Sequence, residues 1–405
     1  MSRNSVFRYK GRETDAQKVG EELGVRAVLA GRVTQHGDGL DINVELVDVR
    51  DNTHLWGQRY SRKLADILSV QDEIASEISD RLRLQLTGEE KRRLTKRYTD
   101  DAEAYRAYLK GLYYADKFTE SGLNKGPNYA LAYAGIADAY WNDNELHTGP
   151  REAMPKAKTA ALKALEIDDT LAEAHAALGI VLTAYDWDWP RTETEFKRAI
   201  ELNRDYAIAH NHYGWYLSLV GRFDDAIREL KQAQLLDPFS LEANSNLGLA
   251  YCRAHRYNEA IDQLTKTIDM DPNFWMPHTF LGWTYKANGR YAEAIAELAK
   301  AKQFDNNNMI LGSLGEAYAL SGNKVEAQKV LDELNAFSKQ HFVSPYSIAL
   351  VYAGLGEKDL AFQWLEKAYG DRTEFLGWIK VDQRLDGLRP DPRFSELMRR
   401  VGLQQ

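Results

Sequence analysis

Apolar positions in residues 210–306 recur with a helical period inside short stretches and, over the long range, at one constant larger spacing. Residues 210–238, 244–272 and 278–306 align without gaps, and Gly214, Gly248 and Gly282 fall at the same place in each. Ala226, Ala260 and Ala294 do likewise, as do Phe223, Tyr257 and Tyr291. Within a unit the helical stripe breaks once in the middle and once at Asp-Pro or Asp-Asn, which predicts two antiparallel helices, A and B, per unit. The small residues mark a close crossing of A and B that a larger side chain would push apart. A long-range repeat of this kind defines a stacked array rather than a single globular core.

The run aromatic-x-x-Leu-Gly-x-x-Tyr, then Ala, then Ala-x-x-x-Asp-Pro resembles the tetratricopeptide repeat (TPR). Looser copies flank the three regular ones. Residues 172–204 (Leu178, Gly179, Leu182, Phe196, Ala199) fit with one extra residue in the Asp-Trp-Asp-Trp-Pro turn, and residues 130–169 fit with a longer loop. Leu314, Gly315, Tyr318 and Ala327 mark a sixth unit, and Ile348, Ala349, Tyr352, Ala361 and Ala368 a seventh. The expectation is about seven TPRs over 130–370, after a degenerate first repeat at 101–129 whose second helix is short or missing. Residues 371–405 read as a C-terminal capping region, with apolar Leu385, Leu388, Phe394, Leu397 and Val401.

Residues 1–88 have another texture. TDAQKVGEELG (14–24) predicts a short amphipathic helix, and 26–35, 41–50 and 54–62 predict three antiparallel strands joined at Gly/Asp turns. The apolar phase moves to Val47 and Val49 around Asp48, which predicts a bulge or a strand end there. A long helix from Leu64 to about Leu86 follows, with Val70, Ile74 and Ile78 on one side. Residues 89–100 are a linker. The αβββα order, with ELGVRAVLAGRV and GLDINVELVDVRDNTHLWGQRY, resembles the TolB-like domain of bacterial signalling proteins. Members of that family place it before a TPR array and, further upstream, carry a serine/threonine kinase, an adenylate cyclase or a winged-helix DNA-binding domain. Their small domain opens with an apolar strand and a helix that this chain starts after, so the resemblance implies an incomplete domain with an open sheet edge. An open edge invites pairing with a second copy. The fold expected is therefore mainly α: a right-handed TPR α-solenoid preceded by a small, truncated α/β domain.

Composition narrows the function. Fifty-two basic against 60 acidic side chains give a net charge of −8, the wrong sign for general nucleic-acid binding. The basic run Lys91, Arg92, Arg93, Lys96 and Arg97 has Glu89 and Glu90 beside it and reads as a solvated linker face. No apolar run is long enough to span a membrane, and MSRNSVFRYKGRETD has no apolar h-region, so a cytoplasmic protein is expected. A single cysteine, Cys252, excludes an internal disulfide and any multi-cysteine metal site. Cofactors and metals are not implied.

Candidate chemistry is weak. Ser321-Gly322-Asn323-Lys324 matches the Ser-x-x-Lys pair of serine hydrolases but sits in a turn, and Gly312-Ser313-Leu314-Gly315 is short of a nucleophile elbow and lies inside a helix. His175, His210 and His278 recur at the fourth position of helix A. Stacked repeats set such positions about 10 Å apart, too far for one metal with bonds of about 2 Å, so they read as packing residues. A hydrolase would need Ser or Cys, His and a carboxylate to converge, and no such set stands out.

What remains is a surface. By resemblance, TPR helix A positions 2, 5, 9 and 12 face the hollow of the superhelix. Here those positions include Asp138, Trp141, Glu173, Asn211, Trp215, Glu242, Leu249, Met276, Trp283, Lys286 and Tyr346. Aromatics with carboxylates, an Asn and a Lys suit an extended or helical peptide. Asn211 and Lys286 alone do not make the basic clamp that binds carboxylate tails. The reading is a non-enzymatic protein–protein interaction scaffold or regulatory module, with a self-assembling homodimer through the N-terminal sheet as the alternative.

Overall fold

The computed structural model describes residues 15–63, 66, 70, 73, 74, 77, 78, 129–143 and 148–403. The expected degenerate repeat at 101–129 (Tyr129 excepted), the basic linker and most of the helix at 64–86 lie outside the described residues. The chain forms two compact units.

In the N-terminal unit, α1 (Ala16–Leu23) is capped by Asp15, whose side chain accepts from the Gln17 amide, and ends at Gly24 in the left-handed region. Strands β1 (Ala27–His36), β2 (Gly39–Asp48) and β3 (Thr53–Lys63) form an antiparallel sheet in the order β1-β2-β3. The pairing of His36 with Gly39 leaves Gly37-Asp38 as a two-residue turn. The β2–β3 register shifts between Leu46 and Val47, the bulge that the change of apolar phase predicts. One face of the sheet buries Leu40, Ile42, Leu46, Trp56 and Tyr60 against Val70, with Ile74 and Ile78 packed beside them. The bulge turns Val47 and Val49 inward as well, and Gly20 of α1 lies so close to the Val49 methyls that a Cβ there would clash.

In the C-terminal unit, seven helix pairs stack in sequence: α2 (Ala130–Asp143) with α3 (Pro150–Ile167), α4 (Ala172–Val181) with α5 (Trp189–Leu202), and α6 (Ala207–Leu219) with α7 (Phe223–Leu236). They continue as α8 (Leu241–Arg253) with α9 (Tyr257–Met270), α10 (Trp275–Ala287) with α11 (Tyr291–Phe304), α12 (Asn308–Leu320) with α13 (Lys324–Phe337), and α14 (Pro345–Leu355) with α15 (Lys358–Asp371). The fold is a TPR-like solenoid. The close crossing inferred from the small residues is present: a Cβ on Gly214, Gly248 or Gly282 would stand 2.6, 2.5 or 2.7 Å from a leucine Cγ on the paired helix. Ala226, Ala260 and Ala294 are fully buried.

The recurrent histidines tie each A helix to its B helix. Nδ1 of His175, His210 and His278 lies 2.6–2.7 Å from a carboxylate oxygen of Glu195, Glu229 and Glu297, and Nε2 lies 3.0 Å from the carbonyl of Asp169, Arg204 and Pro272. In the fourth pair a neutral set replaces it. Asn244 Nδ2 donates to the Pro238 carbonyl, and its Oδ1 accepts from Gln263.

The extra residue of the second pair is absorbed by a π-helical turn at Leu182–Asp186, followed by Trp187 at φ 57°. That turn aims Trp187 and Trp189 at the C-terminal segment, which consists of 3₁₀ turns at Glu374–Trp378 and Gln383–Leu388 and then α16 (Pro392–Arg400). Helix α16 lies on α15: the Arg393 guanidinium sits 4.2 Å over the Phe362 ring and that of Arg400 3.9 Å over Tyr369. The segment reaches further than a cap on the last repeat. Trp189 Nε1 donates to the Val401 carbonyl at 2.8 Å, Trp187 lies 5.5 Å from the Tyr369 ring, and Arg151 of α3 donates to the Gly370 carbonyl. Early and late repeats therefore meet, and residues 374–388 run through the hollow between them.

Candidate functional site: a concave face shared with the chain's own segment

The concave face has two sections. In the first, residues 378–384 lie on the A helices of the fourth to seventh pairs. The Arg384 guanidinium stacks 4.0 Å over the Trp283 ring, donates to Ser313 Oγ and forms an ion pair with Asp382 at 2.7 Å. Asp382 in turn accepts from the Tyr346 hydroxyl at 2.6 Å. Trp378 meets Trp283 edge-on at 5.9 Å and sits under the Arg253 guanidinium. Lys286 pairs with Glu316 at 2.8 Å, both nearly without solvent. Burial alone would push the Asp382 carboxyl up, but the Arg384 charge overrides it and holds the group well below the usual carboxylate range. Burial pulls Arg253 down to about 10. A 30 Å³ cavity remains here, lined by Leu249, Cys252, Lys286 and residues of the segment. Four residues expected to face a peptide (Leu249, Trp283, Lys286 and Tyr346) are therefore covered by the chain itself, because sequence spacing sets which face a helix shows to the hollow but not what fills it.

In the second section a cavity of about 220 Å³ stays open. Trp141, Trp215, Glu242 and Met276, all anticipated from the repeat positions, line it. Trp141 and Trp215 stand 6.0 Å apart and tilted. Asn211 is behind the wall: it donates to Glu242 at 2.8 Å and accepts from Asn246. Asp138 and Glu173 are half-buried nearby, and burial together with the charges of Glu173 and Glu242 pushes the Asp138 carboxyl up to about 7. His212, Asn246, Trp275, Phe280, Asn307 and Met309 are among the residues that the repeats add to the wall, and Glu374, Phe375 and Trp378 come from the segment. The last three have no repeat-position signal, since the segment lies outside the repeat pattern. His212 is in the sequence as a neighbour of His210 on a different face, which could have marked it.

The hydrolase motifs are structural. Ser321 Oγ donates to the Tyr318 carbonyl in the turn after α12, and Ser313 Oγ donates to the Met309 carbonyl inside α12. Cys252 is buried, and burial pushes its thiol up, away from nucleophilic reactivity. Among the described residues no cluster of His, Cys, Asp and Glu is arranged to hold a metal, and no helix is long and apolar enough to cross a membrane.

Residues 220–273 and 246–308 match the model of the tetratricopeptide repeat family, so these repeats are TPRs. A protein of Rhizobium meliloti (strain 1021) named for adenylate cyclase activity is 31% identical over 212 residues, 49% of this chain and 35% of that protein. The transcriptional regulator HilA of Salmonella typhimurium is 27% identical over 143 residues, 32% of this chain and 26% of HilA. The chain thus spans about a third or less of the length of these relatives. The solved structure of pilF from Pseudomonas aeruginosa is similar at 22% identity over 51% of this chain and 91% of that one, with a TM-score of 0.39.

Proposed function

We propose that this protein is a non-enzymatic interaction module whose solenoid binds a peptide or protein segment in the part of its concave face that residues 374–388 leave open. The observation that carries the reading is the 220 Å³ cavity walled by Trp141, Trp215, Trp275 and Phe280, with polar groups set among the rings. Rigid aromatics give contact area at low entropic cost, and the fixed polar groups set register. Trp141→Ala with Met276→Ala should lower the affinity for a labelled decapeptide pool, read by fluorescence anisotropy, while far-UV dichroism stays unchanged. Undiminished binding would overturn the assignment of the groove.

The N-terminal αβββ unit is TolB-like in this reading, and the chain is a regulatory portion of a bacterial signalling protein in the cytoplasm. Partial matches to a protein named for adenylate cyclase activity and to a transcriptional regulator support that placement. Self-association through β1 is the second reading. Leu29 and Val33 are 43% and 63% exposed on this strand, which among the described residues pairs only with β2. Light scattering over a hundredfold concentration range should then show a dimer that Val33→Lys disperses; a monomer throughout would remove this reading.

A further inference from the structure

The open cavity has an unbalanced chemistry. Glu242 and Glu374 line it, and Asp138 stands near both Glu173 and Glu242. The His212 ring that lies 3.8 Å from Glu242 is pulled down by burial toward its neutral form, and among the described residues no Lys or Arg lines the cavity. Its walls are indole and phenyl rings, whose faces attract cations. Two donors at its edge are also unmatched. Asn307 spends its Oδ1 on capping α12, where it accepts from the Ile310 amide, and its buried Nδ2 has no hydrogen-bond partner. The buried Trp378 Nε1 has none either. These side chains are only 7% and 4% exposed, and a buried donor left unpaired is costly, so both call for an acceptor.

We propose that this cavity takes the side chain of an arginine in the bound peptide, with Glu242 as counter-charge, the indoles stacked on the guanidinium, and Asn307 Nδ2 and Trp378 Nε1 donating to the peptide's carbonyl oxygens. The inference rests on the groove reading above and names the residue that the groove selects. A planar guanidinium stacks on aromatic faces and is weakly hydrated, which suits it to this wall better than an ammonium. Glu242 is already held in place by Asn211 and so needs no reorganisation to receive it.

The test is a titration of intrinsic tryptophan fluorescence with N-acetyl-L-arginine amide and with its neutral isostere N-acetyl-L-citrulline amide, on the full chain. The arginine derivative should saturate, and the citrulline derivative should bind at least about tenfold more weakly. Glu242→Gln, which can still accept from Asn211, should remove most of that preference. Should Glu242→Gln disturb the dichroism, Asp138→Asn titrated at about pH 8, where that neighbouring carboxyl carries its charge, should give a smaller loss of the same preference. Equal binding of the two derivatives, or an unchanged preference in both variants, would overturn the proposal. A decapeptide pool that binds whatever its arginine content would also overturn it while leaving the groove reading standing. Binding of the arginine derivative with no binding of any peptide would support the cation site and overturn the groove reading instead.

Discussion

Each ring nitrogen of His175 and His210 faces an oxygen that can only accept, a carboxylate on one side and a backbone carbonyl on the other. Both must therefore donate, which needs the imidazolium. Burial opposes that charge, but the hydrogen bonds to Glu195 and Glu229 and to the carbonyls outweigh it and raise both histidines above their ordinary value of 6.5. A raised folded value contributes stability that is present in full below about 6.5 and is lost as pH rises through the folded value. The thermal midpoint should fall by a few degrees from about pH 6 to about pH 8.5. His210→Asn with Glu229→Gln, copying the neutral set of Asn244 and Gln263, should flatten that slope; a midpoint independent of pH in the parent would refute the argument. Another single residue is strained. His255 holds the left-handed turn position (φ 59°) that Gly221 and Gly289 occupy in the repeats on either side. His255→Gly should raise stability by about 0.5–1 kcal/mol in urea unfolding, since a side chain in that region costs about 1–2 kcal/mol and glycine returns part of it as unfolded-state entropy.

Helix pairs live on the closeness of their crossing. Gly248→Ala should cost about 1–3 kcal/mol by overpacking against Leu264, although alanine is the better helix former by about 1 kcal/mol; equal or higher stability would mean the pair can separate at no cost. Crossings of this kind were legible because the same small residue recurs at the same phase in three units. The hairpin at Gly37-Asp38 and the β2 bulge were legible for a similar reason, since a period of two and its one break leave marks in local sequence. The histidine links were read only as packing, because what a half-buried ring touches depends on a carboxylate carried by the next helix. The cavity was half legible. Trp141, Trp215, Glu242 and Met276 follow from repeat positions, whereas Phe375 and Trp378 come from a segment whose partners reach back to the early repeats, as Trp189 and Val401 show. No periodicity records a contact of that span.

At the scale of the solenoid, the buried charges on residues 382–384 decide whether the hollow stays filled. Asp382→Ala should cost about 3–5 kcal/mol, because it leaves the buried Arg384 without its paired carboxylate and removes the negative charge near Arg253. Asp382→Leu with Arg384→Met should cost less, and hydrogen exchange at residues 374–403 should report the difference; equal losses would mean that the ion pair does not hold the segment. Arrays of stacked repeats otherwise gain stability from nearest neighbours alone and can open one unit at a time. Here the bonds from Arg151 to Gly370 and from Trp189 to Val401 join the early units to the late ones. Such an array is a coiled spring with its ends latched. Pulled apart between α3 and α15 in an optical trap, an unlatched spring would lengthen smoothly from the first piconewtons. This one should stay short under rising tension until the latch gives, then extend in one abrupt step, so that mechanical load decides when the covered part of its inner face is laid bare.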